Sequence, residues 1–454
     1  MRWEPKQYQI VAMQYALENS NCGLFMGMGS GKSSVVLGVL SVLKEKGHLR
    51  RAIVIAPSRV CNNVWPQERE KWEDFHNLSM SVLHGPKKDR LLEAFDHDIA
   101  VISVDSLEWA IKAGVFERVN PDVLILDESS FVKSHTSKRF RLLRGLLPRF
   151  RRRIILTGTP SPNGAMDLWS QMYVVDRGGA LEPFITRFRG RYFQDMGYQY
   201  PDWQLMPGAF DKIGAAIKPL VFRADDPEVR ALLPDVILNE IPVTLEPTVR
   251  KKYDALADDF FLMMEEGEVN PANAAALSQK LRMVCNGAVY VDNGGTRENA
   301  ILHDGKLEAL DSIVGEANGK PLLVFYEFIV DRDRILSRYS GSQTIGTDTS
   351  EKIATELIDK FNRGEISMLV VHPQSAGFGL NLQEACNEAV WFGPTWNCGL
   401  YEQAIARIAR QGQKEKSVTI HTIVADRTIE QQVAKALAGK VSSQKELLAS
   451  IRRL

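Results

Sequence analysis

Two patterns alternate along the chain. Short, unbroken apolar runs rich in Val and Ile recur: "AIVIA" (52–56), "IAVISV" (99–104), "VLILD" (123–127) and "RIILT" (153–157), then "LLVFY" (322–326), "MLVV" (368–371), "AVWFG" (389–393) and "SVTIHTIV" (417–424). Runs that are apolar at every position suit strands buried on both faces. Between them lie segments with helical spacing, including "KSSVVLGVLSVLKEK" (32–46), "EKIATELIDKFNRG" (351–364) and "LYEQAIARIARQG" (400–412). Strand–helix alternation implies parallel sheets. It occurs in two blocks, about 1–175 and 305–430. The pattern therefore predicts an α/β protein with two parallel-sheet lobes in tandem and short helical insertions.

The middle of the chain breaks this rhythm. Residues 184–203 cluster aromatics with arginines, and 248–266 has the spacing of a long amphipathic helix. The aromatic cluster could stack on bases, but a packed brace for accessory helices is the better reading. Between these segments "FRADDPEVRALLPDVILNEIP" (222–242) carries Pro227, Pro234 and Pro242 and reads as a connector. The expected division is 1–235 for a first lobe, with a helical and aromatic accessory segment about 176–232. The second lobe is expected over 236–454, with a helical insertion about 245–300.

Composition narrows the class only a little. At 454 residues the chain is too long for one typical core. Lys plus Arg and Asp plus Glu balance at 56 each, so net charge neither points to nucleic acid nor excludes a local basic face. One stretch is lopsided: from Ser129 to Met166 there is no acidic residue, while Lys133, Lys138, Arg139, Arg141, Arg144, Arg149, Arg151, Arg152 and Arg153 all fall there. It could bind phosphates. Equally, it could be a solvated helix packing Phe140, Leu143 and Leu147 inward. The five cysteines are scattered with no CxxC pair, which argues against a disulfide framework or zinc site and for a reducing compartment. No apolar run is long enough to cross a bilayer, and the N-terminus lacks a signal-peptide core. A cytoplasmic protein with no membrane partner is expected.

Chemistry enters with "LFMGMGSGKSS" (24–34). An apolar lead-in is followed by Met26, Gly27, Met28, Gly29, Ser30 and Gly31, then Lys32 and Ser33 at the head of a helical pattern. Such glycines let the backbone curl so that several N–H groups face one anion, and the helix N-terminus adds its dipole. Lys32 would neutralise the β- and γ-phosphates of ATP, and the Ser33 hydroxyl would complete a Mg2+ shell. Met26 stands where the strict pattern has glycine. In "LILDESSFVKS" (124–134) a buried strand ends in Asp127 and Glu128. After a phosphate loop, this pair suits a magnesium carboxylate (Asp127) and a water-orienting base (Glu128).

Further segments complete an ordered set: "LTGTP" (156–160), "SAGFGLNL" (375–382), "WFGPTWN" (391–397) and "QAIARIARQGQ" (403–413). Together they resemble the motor core of superfamily 2 helicases, in the Swi/Snf-type branch of double-stranded DNA translocases, over nearly the whole chain. The resemblance implies two RecA-like lobes with ATP hydrolysis in the cleft between them, coupled to movement on DNA. Gln9 of "PKQYQ" is then the reader of the adenine edge. Pro57 and Ser58 of "APSRVCNNVWPQEREKW", and Ser103 and Asp105 of "VISVDSL", become contacts to the DNA backbone. Thr157, Gly158 and Thr159, with Ser130 and Gln403, couple nucleotide state to lobe movement. "LRMVCNGAVY" (281–290) is similar to a family segment in the second-lobe insertion. Ser375 and the loop Gly379 to Asn381 touch DNA and the ribose side of ATP. Arg407 and Arg410 match the paired arginines of the last motif.

The arginine pair also makes sense by itself: a spacing of three puts both on one face of a helix, where guanidinium groups can meet a transferring γ-phosphoryl group. No targeting domain, protein reader or nuclease is recognised, which suits a compact bacterial or phage motor. Relatives often carry histidine where Ser130 stands. This residue is expected to bond toward Thr157 or a water and so link hydrolysis to motion. Two other readings stay open: a strand-separating helicase on DNA or RNA, and a nucleic-acid-binding scaffold with a decayed ATPase.

Overall fold

The computed structural model describes the chain apart from residues 28, 59, 198–201, 224–232, 266–270, 294–295, 377–381, 411–412 and 451–454. It divides into two compact units, Met1–Arg230 with Lys440–Leu454, and Ala231–Gly439.

In chain order the first unit carries β1 (Asn21–Phe25), β2 (Ala52–Ala56), β3 (Met80–Val82), β4 (Ile99–Ser103), β5 (Val123–Asp127), β6 (Arg152–Thr157), β7 (Phe193–Asp195), β8 (Trp203–Leu205) and β9 (Val221–Arg223). Seven of them form one sheet in the order β3-β4-β2-β5-β6-β1-β9, every pair parallel. The unbroken apolar runs follow from burial on both faces. Phe25, Ile53, Ile55, Leu124, Leu126 and Ile155 enter one core cluster. Their chain neighbours Leu24, Val54, Ile125, Ile154 and Leu156 enter the other. β7 and β8 form an antiparallel hairpin. The helix Ile185–Tyr192 beside it buries Phe188 and Tyr192 in the first cluster, so these aromatics of the 184–203 segment pack inward.

The second unit carries β10 (Asp235–Val243), β11 (Ala288–Asn293), β12 (Thr296–Ile301), β13 (Leu322–Phe325), β14 (Ser342–Ile345), β15 (Met368–Val371), β16 (Glu388–Trp391) and β17 (Ser417–Ala425). Its parallel sheet runs β10-β17-β16-β13-β15-β14. The helices Pro247–Glu265 and Pro271–Asn286 and the β11–β12 hairpin lie between β10 and the rest in sequence. A charged network pins the end of this insertion to three helices of the unit, Gly305–Ala317, Ile329–Arg338 and Ile429–Ser450. Lys306 Nζ donates to Asn286 Oδ1 at 2.8 Å and to both Glu430 oxygens at 2.7 Å, and Asn286 Nδ2 donates to Asp331 Oδ2 at 2.6 Å.

The segment read as a connector is not one throughout: its ends form strands, β9 closing the first sheet and β10 edging the second. Pro242 misled the reading. It pairs with Val424 on an edge strand, where a residue without an N–H costs no ladder bond on the open side.

The basic stretch is largely spent within its own unit. Lys138 pairs with Glu108, Arg139 with Asp105 and Arg149 with Glu117. Arg152 and Arg153 donate to main-chain oxygens. Phe140, Leu143 and Leu147 are buried. No helix among the described residues is long and apolar enough to cross a membrane.

Candidate active site

The chain leaves β1 at Phe25 and keeps the sheet ladder for one more residue, Met26 N donating to Thr157 O at 3.2 Å. Met26 is fully buried and takes no left-handed conformation, so the loop closes without a glycine there. Gly29 and Gly31 do the turning, with φ of 72° and 74°. A Cβ on Gly31 would lie 2.4 Å from Gln9 Nε2. Gly31 then caps the helix Lys32–Glu45, whose first-turn N–H groups have no intrahelical partner. Lys32 Nζ folds back onto the loop, donating to Met26 O at 3.0 Å and Gly27 O at 2.9 Å. Ser30 Oγ donates to Gly27 O at 2.7 Å. Ser33 is half-buried in the first helical turn.

Gln9 sits against this loop. Its Nε2 donates to Ser30 O at 2.9 Å, its Oε1 accepts from Lys6 N at 2.8 Å, and Tyr8 OH donates to Ser30 O at 3.0 Å. The Nε2 end of the Gln9 amide therefore holds the loop, while its Oε1 end fixes the start of the helix Gln7–Glu18. Met28 lies outside the described residues.

The acid pair terminates β5, beside β6, which in turn lies beside β1. Asp127 is buried, and Trp65 Nε1 donates to its Oδ2 at 2.9 Å. Burial pushes the Asp127 carboxyl up to about 6 against the opposing pull of Lys32 and the Trp65 bond. Glu128 takes a left-handed conformation, φ 60°, which costs a residue with a Cβ about 1–2 kcal/mol. Two hydroxyls converge on its Oε1: Ser130 Oγ donates at 2.7 Å and Thr157 Oγ1 at 3.3 Å. Thr159 N donates to Thr157 Oγ1 at 3.0 Å, leaving the Thr157 proton for Glu128. The expectation for Ser130 is corrected in detail. Its hydroxyl bonds to Glu128 Oε1, the oxygen that Thr157 also reaches, rather than to Thr157 itself.

Three residues escaped sequence reasoning. Trp65, fully buried, follows a π-helical turn (Val60–Val64) and holds the Asp127 carboxylate. From the next turn, Glu68 Oε2 accepts from Ser34 Oγ at 2.6 Å, next to Ser33. Gln171, fully buried on the helix Asp167–Asp176, accepts from Ser129 Oγ at 2.8 Å and donates to Pro160 O at 2.6 Å. A glutamine and a serine inside apolar spacing were the available signal.

The segments expected to meet DNA are placed less uniformly. Pro57 is buried and Ser58 half-buried, ahead of the π-helical turn. Ser103 is fully buried, and its hydroxyl caps the following turn by accepting from Ser106 N at 3.2 Å. Asp105 is exposed and paired with Arg139 at 2.7 Å.

In the second unit, Ser375 is buried in the short helix Pro373–Ala376. Gly379 and Asn381 lie outside the described residues. Gln403 is buried on the helix Cys398–Ile405. That helix is shorter than its sequence pattern. It stops at Ile405, and Arg407 and Arg410 lie in the turns that follow, so they do not share a helix face. Beyond the helix, Gln413 Nε2 donates to Ile408 O at 3.1 Å and Cys386 O at 2.9 Å, tying the turn at 408 to the end of the preceding segment. Arg407 is buried, and burial lowers the Arg410 guanidinium pKa.

Comparison with known proteins identifies the family. The SNF2-related domain matches residues 6–288 and the helicase conserved C-terminal domain matches 305–412. Protein p41 of Acyrthosiphon pisum secondary endosymbiont phage 1 is 31% identical, over 99% of each chain. An uncharacterized ATP-dependent helicase of Mycoplasma pneumoniae is 27% identical over 91% of this chain and 39% of its own length. The mouse SWI/SNF-related matrix-associated actin-dependent regulator of chromatin subfamily A member 1 is 25% identical, over 95% of this chain and 42% of its own length. The chain thus spans the whole of the phage protein but less than half of these two longer relatives. The Sulfolobus solfataricus SWI2/SNF2 ATPase core in complex with dsDNA aligns over 100% of this chain and 98% of its own, at 21% identity and a TM-score of 0.45. With a glycine-rich loop after β1 and an acid pair at the end of β5, flanking β6 in one parallel sheet, and the family match extending over most of its length, this chain belongs to the SNF2-related family of ATP-hydrolysing, helicase-type motors.

Proposed function

We propose that this chain is an ATP-dependent translocase on double-stranded DNA. The observation that carries the reading is the meeting of Lys32, Asp127, Glu128 and Thr157 at the carboxyl ends of three adjacent strands, β5, β6 and β1, in a member of this family. Ligands of open parallel sheets sit at such strand ends.

The residues divide the work. Gly29 and Gly31 turn the loop toward an anion, and the first turn of the following helix offers its N–H groups to phosphate. Lys32, held on two loop carbonyls, is the cation that would shift onto the β- and γ-phosphates. The site fits a magnesium ion. Asp127 is a buried carboxylate whose charge its neighbours only partly offset, and Ser33 supplies a hydroxyl from the first helical turn. When bound, the ion neutralises phosphate charge. Glu128 orients the attacking water and takes its proton. Arg407 and Arg410 would bring guanidinium charge to the γ-phosphoryl group, an effect of about 10³–10⁵ in rate for such arginines. Thr157, bonded to Glu128, is placed to pass the nucleotide state into the segment after β6.

Duplex DNA is the proposed track because the chain is an SNF2-related motor and a relative is a regulator of chromatin. A bacterial or phage-infected cytoplasm is the proposed setting, supported by the phage relative and five buried free thiols. Strand separation is the second reading. A decayed scaffold is disfavoured because Met26, the one departure in the phosphate loop, leaves the loop closed and Lys32 in place. The test is ATP hydrolysis by wild type and Glu128→Gln with duplex DNA, single-stranded DNA and RNA. Stimulation by duplex in the wild type, lost in the variant, is expected. Stimulation by RNA alone overturns the reading, and no hydrolysis under any condition favours the scaffold.

A further inference from the structure

The helix Asp167–Asp176 packs its start between two loops of the site, and its polar residues reach into both. Toward the acid pair, Ser170 Oγ donates to Lys133 O at 2.6 Å and Gln171 Oε1 accepts from Ser129 Oγ at 2.8 Å. Toward the segment after β6, Gln171 Nε2 donates to Pro160 O at 2.6 Å, and Asp167 Oδ2 accepts from Asn163 N at 2.8 Å. Gln171 and Ser129 are both fully buried. The second Gln171 amide proton goes to Asp167 O at 2.8 Å, so both of its donors and its acceptor are engaged.

A buried amide is an expensive way to fill a helix position. An apolar side chain of similar volume, with an apolar partner in place of Ser129, would pack there without an amide to desolvate. What the amide adds is register: a directional three-way tie between Ser129, Pro160 and its own helix. Ser129 directly follows Glu128, and Pro160 directly follows Thr159, which bonds Thr157. The same two chain segments are therefore joined twice. On the open side Thr157 meets Glu128. On the buried side Gln171 bridges Ser129 and Pro160.

We propose that Gln171 is a positioning residue for ATP hydrolysis, locking the Glu128 turn to the Thr157 segment so that the two move as one body. It touches neither ATP nor DNA. Without the lock, Glu128 keeps its chemistry but loses a fixed place relative to Thr157, and turnover suffers while nucleotide affinity does not. The inference rests on the ATP-motor reading given above.

Three variants test it: Gln171→Met, which keeps volume and removes the amide; Gln171→Glu, which keeps the acceptor for Ser129 and loses the donor to Pro160; and Ser129→Ala with Gln171→Met, which removes both ends of the first bond. Each is measured for kcat and KM with ATP and duplex DNA, for equilibrium ATP binding, and for Tm. Gln171→Met is expected to lose about tenfold or more in kcat with ATP affinity within about twofold of wild type, as the loss of a transition-state-specific interaction requires. Gln171→Glu is expected to fail similarly, because one arm of the lock is gone. The double variant is expected to match or exceed Gln171→Met in Tm, since no serine hydroxyl is left unpaired, yet to stay slow. A double variant that regains wild-type kcat, or a Gln171→Met enzyme with wild-type kcat, overturns the inference while leaving the motor reading intact. A wild type that does not hydrolyse ATP overturns the motor reading and this inference with it.

Discussion

At the scale of single residues, the site turns on one carboxylate oxygen. Glu128 Oε1 accepts from both Ser130 and Thr157, so either hydroxyl alone can still hold it. Ser130→Ala and Thr157→Val are each expected to lower kcat only a fewfold, and the double variant by more than the product of the two. A double-mutant cycle on kcat checks this; residues sharing one network couple by about 0.5–3 kcal/mol. Strict additivity would mean that the two hydroxyls act apart. Trp65 gives a second prediction. Its indole N–H is a donor to a buried carboxylate, and hydrogen bonds to charged groups contribute about 1.5–3 kcal/mol. Trp65→Phe is expected to cut kcat by about tenfold or more while the chain stays folded. A Trp65→Phe enzyme with normal turnover would show that Asp127 needs no such support.

At the scale of elements, the phosphate loop depends on Gly31 more than on the missing glycine at 26. Gly31 has a left-handed φ, and a Cβ there would lie 2.4 Å from Gln9 Nε2, so the Gln9 amide would have to move off the loop. Gly31→Ala is expected to raise KM for ATP by at least about tenfold through displacement of Gln9 and the loop, read by equilibrium ATP binding. The loop was legible in the sequence because glycine spacing and Lys32-Ser33 encode a local shape. The strands were legible because burial on both faces leaves no polar position in runs such as "VLIL" (123–126). Where local pattern and tertiary context disagreed, context won. The pattern over 400–412 is helical, but the helix ends at Ile405 and the chain turns through 406–410. The prolines of 222–242 suggested a connector, but an edge strand tolerates Pro242. Polar residues inside apolar spacing mark Gln171 as unusual, but its role and that of Trp65 were not legible, since both depend on partners far away in sequence.

At the scale of the whole molecule, each unit has its own support, and the second unit's is charged. Burial pushes the Asp331 carboxyl up to about 7, against Asn286, Lys306 and Arg334, from 3.8 for an ordinary aspartate. Between those values the folded chain keeps a proton that the unfolded chain has released. The Asp331 contribution to stability is therefore full below the lower value and is lost as pH rises toward the upper one. The wild-type Tm, taken relative to that of Asp331→Asn, is expected to fall over that window; a flat difference would show that Asp331 titrates normally. Hydrolysis also draws on the second unit in the proposed cycle. Arg407→Ala and Arg410→Ala are each expected to lose about 10³-fold or more in kcat with ATP binding retained. The most direct measurement is displacement of a third strand from a triplex on duplex DNA. Wild type with ATP is expected to displace the third strand without melting the duplex, and Glu128→Gln is expected to leave the triplex intact. Wild type that hydrolyses ATP but never displaces the strand would contradict translocation on double-stranded DNA.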